Sequence, residues 1–221
     1  MSKTTWSILL AALAVGLPAD AKVPDPSEVR VAWQLEITVH GRPEAIRVKA
    51  PGGTEYRTFW FLRYTATNRS GQDQMFVPHF TLYTEAGQVL KAGQGVPPGV
   101  FEAIKKLYPH ALLTDPIDVP GKLLQGEDNA RSSVAIWRDL PEGTGGFEVF
   151  VEGFSGETAS VTLPAPVEMT ELDPWTGETV TVRRRELVLA KTLQLSYELL
   201  GSGEPGRAPN VRAAGRKWIM R

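Results

Sequence analysis

Residues 59–90 run FWFLRYTATNRSGQDQMFVPHFTLYTEAGQVL, and their alternation decides the fold class. Trp60, Leu62, Tyr64 and Ala66 fall on one face of a strand, and Phe61, Arg63, Thr65 and Thr67 on the other. Successive side chains of extended backbone point to opposite sides, so this is a strand signature. Asn68-Arg69-Ser70-Gly71 follows as a loop, with Asn and Gly able to take the left-handed backbone that hairpins require. Phe76, Pro78, Phe80 and Leu82 then form the buried face of a partner strand. Pro78 has no amide donor, which places that strand at a sheet edge or at a bulge. Glu85-Ala86-Gly87 turns the chain again. The stretch predicts a hairpin with Trp60, Leu62, Tyr64, Phe76, Phe80 and Leu82 in the core and His79 outside it.

The same period extends in both directions. Upstream, Trp33, Leu35, Ile37 and Val39 alternate with Gln34, Glu36, Thr38 and His40. Gly41-Arg42-Pro43 punctuates that strand, and Ala45–Lys49 returns before the Pro51-Gly52-Gly53 turn. Downstream, Pro97-Pro98 opens a helix over about 98–108, where proline's fixed φ suits the first turn. Phe101, Ile104 and Leu107 recur at helical spacing with Val100 beside them, and Pro109 ends the run. So short a helix is marginal alone and is expected to pack across an open end of the sandwich. Then come Gly121–Gln125, a polar loop at Gly126–Asn129, Val134–Trp137, Phe147–Val151, and Thr158–Leu163 ended by Pro164 and Pro166. Asp173-Pro174-Trp175-Thr176-Gly177 is the tip of a hairpin between Val167–Leu172 and Thr179–Arg184. Leu193, Leu195, Tyr197 and Leu199 alternate in a last half-buried strand. Many short strands with regular turns predict an all-β sandwich of immunoglobulin-like type with one inserted helix.

The N-terminus predicts export. Lys3 precedes an uncharged stretch from Trp6 to Leu17, and Ala19-Asp20-Ala21 has the small-x-small form of a cleavage site. The apolar run is too short to cross a bilayer, which needs about 20 helical residues; the alternative is an uncleaved N-terminal anchor. The expected organisation is a signal peptide over 1–21, an extended Pro-rich lead-in over 22–29, one sandwich domain over 30–200, and a flexible tail over 201–221. In that tail, residues 216–221 form a possible short strand. The chain has no cysteine, so an exported fold must rest on core burial alone. A formal net charge of −1 gives no electrostatic case for nucleic acid as a partner. Arg183-Arg184-Arg185 is the one basic run, expected as solvated strand charges.

Several of these pieces occur in a familiar order. The strand ending Tyr64-Thr65-Ala66-Thr67-Asn68 leads to Phe76–Leu82, then to the Thr84–Gly87 turn. Gly121-Lys122-Leu123-Leu124-Gln125-Gly126-Glu127, Val134–Trp137, the turn at Pro141 and Phe147–Val151 follow. From about Trp33 to Leu163 this layout resembles the immunoglobulin-like domains of uncharacterised exported bacterial proteins. The resemblance implies a sandwich in the periplasm or at the cell surface, with Gly126 and Glu127 in a loop joining the two sheets. It brings no catalytic residues.

Candidate chemistry is sparse. His40, His79 and His110 are too far apart in sequence for a local metal pair. Gly153-Phe154-Ser155-Gly156 is not a nucleophile elbow, which needs a strand–turn–helix setting. Glu148 and Glu152 share a strand face but stand about 13 Å apart at 3.3 Å per residue, too far for a glycosidase pair. Glu127, Asp128 and Asn129 could offer oxygen ligands to Ca²⁺; the competing expectation is that they bond their own loop, with Arg131 paired to Glu127 or Asp128. Trp175 at a hairpin tip is a possible ligand contact. The sequence therefore predicts no cofactor, no catalytic residue and no transmembrane span after signal cleavage. The expected role is a non-enzymatic interaction or structural module whose partner is an envelope protein or glycan. The alternative is a carbohydrate- or ligand-binding protein using exposed aromatics and the acidic loop.

Overall fold

The computed structural model describes residues 23–49, 54–172, 176–200 and 210–221. The first part of the chain contains β1 (Glu36–Lys49), β2 (Tyr56–Asn68), β3 (Gln74–Phe76), β4 (His79–Thr84), β5 (Val89–Lys91) and the helix α1 (Pro98–Leu107). The second contains β6 (Gly121–Leu123), β7 (Gly126–Arg138), β8 (Gly146–Glu152), β9 (Thr158–Leu172), β10 (Thr179–Leu200) and β11 (Asn210–Met220). Together they form an all-β sandwich with one short helix. One sheet has the order β1-β2-β7. The other has the order β11-β10-β8-β4-β5, with β9 also paired to β10, and β3 pairs with β6 apart from both.

The inner faces of the two sheets share one core. Leu35, Ile37, Trp60, Leu62 and Tyr64 meet Phe80, Leu82, Val149, Val151, Leu193 and Leu195 across it. All six residues that the 59–90 alternation assigns to the core are buried there, and His79 is exposed. The stretch is not a hairpin, however. β2 pairs with β1 and β7, whereas β4 pairs with β8 and β5 in the facing sheet. The loop after Asn68 therefore carries the chain across the sandwich. Alternation is the same for hydrogen-bonded neighbours and for strands facing each other over a core, so it does not choose between them. Of the two settings expected for Pro78, an edge or a bulge, the edge does not hold, because β4 lies between β8 and β5. Pro78 instead occupies the break between β3 and β4, where no ladder bond is lost. Gly153 packs on that break at φ 86°, so closely that a Cβ would meet the Val77 carbonyl oxygen at 2.3 Å.

The helix does not cap an open end. Val100, Phe101 and Ile104 dock on the outer face of the three-stranded sheet, against Phe59, Phe61, Val134 and Ile136. β2 is thus buried on both faces around Phe59–Leu62, which is why Phe61 is as apolar as Leu62. Leu107 is 56% exposed, and Val100 completes the buried stripe in its place. Burying each large side chain here contributes about 1.5–3 kcal/mol, which holds a helix too short to persist alone.

Prolines and glycines expected to end strands produce bulges instead. β1 runs through Gly41-Arg42-Pro43, with its register shifting between His40↔Arg63 and Glu44↔Phe61. β9 runs through Pro164 and Pro166, its register shifting between Thr162 and Val167 so that both prolines stay out of the ladder. Gly126–Asn129, expected as a loop, opens β7. It does not join the two sheets. β10 is a single long strand whose first half pairs with β9 and whose second half pairs with β8 and β11. The hairpin expected around 173–177 is present, since Leu172 pairs with Thr179; Trp175 lies outside the described residues. β11 extends the fold past residue 200, with Val211 and Met220 buried. Its Ala213-Ala214-Gly215 segment faces no core, so the alternation that marks other strands is missing. Residues 201–209 and the predicted signal peptide lie outside the described residues.

Candidate binding surfaces

Glu127, Asp128 and Asn129 lie in a register break of β7, between Gly126, paired with Asn68, and Arg131, paired with Ala66. Glu127 pairs with the Arg69 guanidinium, and Asn129 Nδ2 donates to the Gln125 carbonyl at 2.6 Å. Arg131 pairs with neither acid; it donates to the carbonyls of Val119 and Lys122. Among the described residues no group of three or more His, Cys, Asp or Glu could hold a metal ion. His79 and His110 are exposed, and His40 sits within β1 rather than at a strand end.

Asn68 does not take the left-handed backbone open to it and acts through its side chain instead. Its Oδ1 accepts the Ser70 amide at 3.0 Å and the Ser70 hydroxyl at 2.8 Å. Its Nδ2 donates to the carbonyls of Gln72 at 3.0 Å and Leu123 at 2.8 Å. Gln125 Nε2 adds a third donor to Oδ1 at 3.1 Å. One fully buried amide therefore ties the crossover loop to β6 and explains why the Asn68 loop and the Leu123–Gln125 step need each other.

The lead-in is also fastened. Ser27 N–H donates to Glu157 Oε1 at 2.6 Å, and Lys191 Nζ lies 2.7 Å from Glu157 Oε2. Trp33 continues the attachment: its carbonyl accepts the Gly156 amide at 3.0 Å, and its ring fills the space that a Cβ on Gly156 would occupy. The Pro-rich segment is thus tied at Ser27, and Trp33 after it is seated on the Gly153–Glu157 connection. Burial raises the Glu157 carboxyl, but Lys191 and Ser27 outweigh it and hold the group below the usual range. No sequence motif points to this pair, because the partners are distant in sequence and each is ordinary alone.

A groove of about 940 Å³ lies beside the β9–β10 ribbon. Phe150, Glu152 and Arg221 form one part of its wall, Met169 and Leu187–Leu189 another, and Val96, Phe101 and Ile117 a third. Arg221 lies over the Phe150 ring, 4.0 Å from its centroid, and 3.6 Å from Glu152. The β9–β10 ribbon borders the groove. β8 and β9 follow the same side of β10, and β11 follows the other side until Ala190 and Arg221 exchange bonds of 2.7 and 3.0 Å. Beyond those points β9 and β10 pair only with each other among the described residues. The result is a two-stranded arm with two open edges, and Val188 on it is 69% exposed. Sequence reasoning missed the groove, since its walls come from stretches far apart in the chain, from Tyr64 to Arg221; the arm was half visible as the 167–184 hairpin.

No family model, curated protein or solved structure is similar to this chain. The class of protein is therefore set by the fold and its surfaces: an all-β sandwich that carries a helix on one sheet and an arm beside an apolar groove.

Proposed function

We propose that the chain is an exported, non-enzymatic binding module of the bacterial periplasm or cell surface that grips an extended segment of a partner protein. The observation that carries this reading is the apolar groove of about 940 Å³ beside an arm with open edges. Extended polypeptide suits both features. It can add backbone hydrogen bonds along a free strand edge and send every second side chain to an apolar wall. Pro164 and Pro166 bar regular pairing along part of β9, which favours the β10 edge beyond Ala190, in line with β11. A two-stranded ribbon is marginal by itself, so a partner strand would also complete it. Export is supported by Lys3, the Trp6–Leu17 run and the Ala19-Asp20-Ala21 site. No helix among the described residues is long and apolar enough to cross a membrane.

A photo-crosslinking residue at Val188, with the same residue at exposed Gln72 as control, tests the proposal in the native envelope. The expected result is one defined protein adduct from position 188 and none from 72, unchanged by Trp175→Ala. Equal labelling from both positions would overturn it.

A further inference from the structure

We propose that the half of the β1-β2-β7 outer face left uncovered by α1 is a binding site for a neutral oligosaccharide, distinct from the groove. Its floor is built of short polar side chains on three adjacent strands. His40 Nε2 lies 2.7 Å from Thr65 Oγ1, and Thr65 Oγ1 lies 2.7 Å from Ser132 Oγ. This hydrogen-bonded row crosses the sheet from β1 to β7, and exposed Thr38 lies beside it, opposite Thr65. At one end a wall rises where the helix stops. Arg63 stacks 3.7 Å from the Tyr108 ring centroid, and the Tyr108 hydroxyl donates to Glu44 at 2.7 Å. At the other end Arg69 lies 3.4 Å from Glu36 and also pairs with Glu127. From Arg63 to the end of β2 at Asn68 the floor is about 17 Å long at 3.3 Å per residue, room for about three to four sugar rings.

The chemistry selects a polyhydroxylated, uncharged ligand. Each hydroxyl of the floor can donate or accept, so the row can reverse its direction to match ring hydroxyls of either sense. Burial, then the nearby Arg63 cation, keeps the His40 imidazole below its ordinary pKa, which leaves it neutral and able to play either role. Both guanidiniums already face carboxylates, and the walls carry Glu36, Glu44 and Glu127 against Arg63 and Arg69. An anion meets three carboxylates against two guanidiniums, an excess of negative charge. An apolar ligand would strip water from the floor without replacing its hydrogen bonds. Tyr108 adds an aromatic edge at the wall.

The test is amide chemical-shift titration of the full chain with cellotetraose, xylotetraose and mannotetraose, beside tetragalacturonate as the charged counterpart. At least one neutral tetramer is expected to shift the amides of residues 38–40, 63–67 and 132, with tetragalacturonate weaker. Thr65→Val keeps the shape but breaks the row, and should weaken that binding tenfold or more at an unchanged unfolding temperature. Should Thr65→Val fail to fold, Ser132→Ala reads the same contact from β7. The proposal is overturned if no neutral tetramer shifts these amides, if tetragalacturonate binds better, or if the folded variants keep full affinity.

Discussion

Removing the Glu157 carboxylate tests how the lead-in and the β9–β10 arm are anchored to the sandwich. Its two oxygens serve Lys191 Nζ at 2.7 Å and Ser27 N–H at 2.6 Å, and the Glu157 and Lys191 side chains are 6% and 7% exposed. Glu157→Leu leaves the ammonium buried without a counter-charge and the Ser27 amide without an acceptor. Breaking a buried pair from one side costs about 3–5 kcal/mol. This pair lies just beneath the lead-in rather than deep between the sheets, so the lower end, about 3 kcal/mol, applies. A domain of this size loses about 2–4 °C of Tm per kcal/mol, which gives a fall of about 6–12 °C. Glu157→Leu combined with Lys191→Met removes both charges and should recover most of the loss, leaving about 1 kcal/mol for the Ser27 bond. Urea denaturation of all four members of the cycle gives the coupling directly. Single variants that lose less than about 1 kcal/mol, or a double variant that loses the sum of both, would refute the reasoning.

The same site sets a pH dependence. The folded carboxyl titrates below its ordinary value of 4.5 because Lys191 and Ser27 outweigh the effect of burial. On acidification the unfolded chain takes up the proton first. The contribution is therefore complete above the ordinary value and disappears as pH falls through the folded one. The stability difference between wild type and Glu157→Gln should shrink in that window.

Four further substitutions probe the scaffold. Asn68→Ala strands the Leu123 carbonyl and undoes the crossover loop, at about 2–3 kcal/mol by urea denaturation. Ile104→Ala empties the contact between helix and sheet and should cost about 2–5 kcal/mol, with hydrogen exchange accelerated across 98–107 and little changed in the core between the sheets. Gly153→Ala drives a Cβ onto the Val77 carbonyl and should cost about 3 kcal/mol or more, whereas Gly41→Ala, with nothing within 4 Å, meets only the positive-φ cost of about 1–2 kcal/mol. Similar melting temperatures for the two glycine variants would contradict the close approach.

Much of the sandwich was legible because a strand's two faces differ in polarity, and Trp60, Leu62, Tyr64, Phe80 and Leu82 keep that period without a break. Pairing was not legible, since β2 and β4 carry the same pattern whether they are neighbours or face each other across the core. Prolines misled in the same way twice. Pro43 and Pro164 remove a donor, but a bulge absorbs that loss without ending the strand. The acidic run at 127–129 looked like a loop because three polar residues in a row suggest a turn; β7 continues through it, but the run leaves the ladder between the pairs Asn68↔Gly126 and Ala66↔Arg131. Phe59 and Phe61 did carry a signal for the helix-covered face. An outward row of large aromatics beside an inward row is what a strand covered on both sides looks like. The groove and the His40–Thr65–Ser132 row are products of register, which no single stretch of sequence encodes.

Excising the arm tests the central claim most directly. Replacing residues 164–184 by an Asn-Gly turn joins Leu163 to Arg185 through a two-residue hairpin connection and leaves Val188 in place for crosslinking. The account predicts a domain that still folds, with its unfolding temperature lowered by only a few degrees, and loss of the adduct at position 188. An adduct formed at undiminished yield, or a domain that no longer folds, would contradict it.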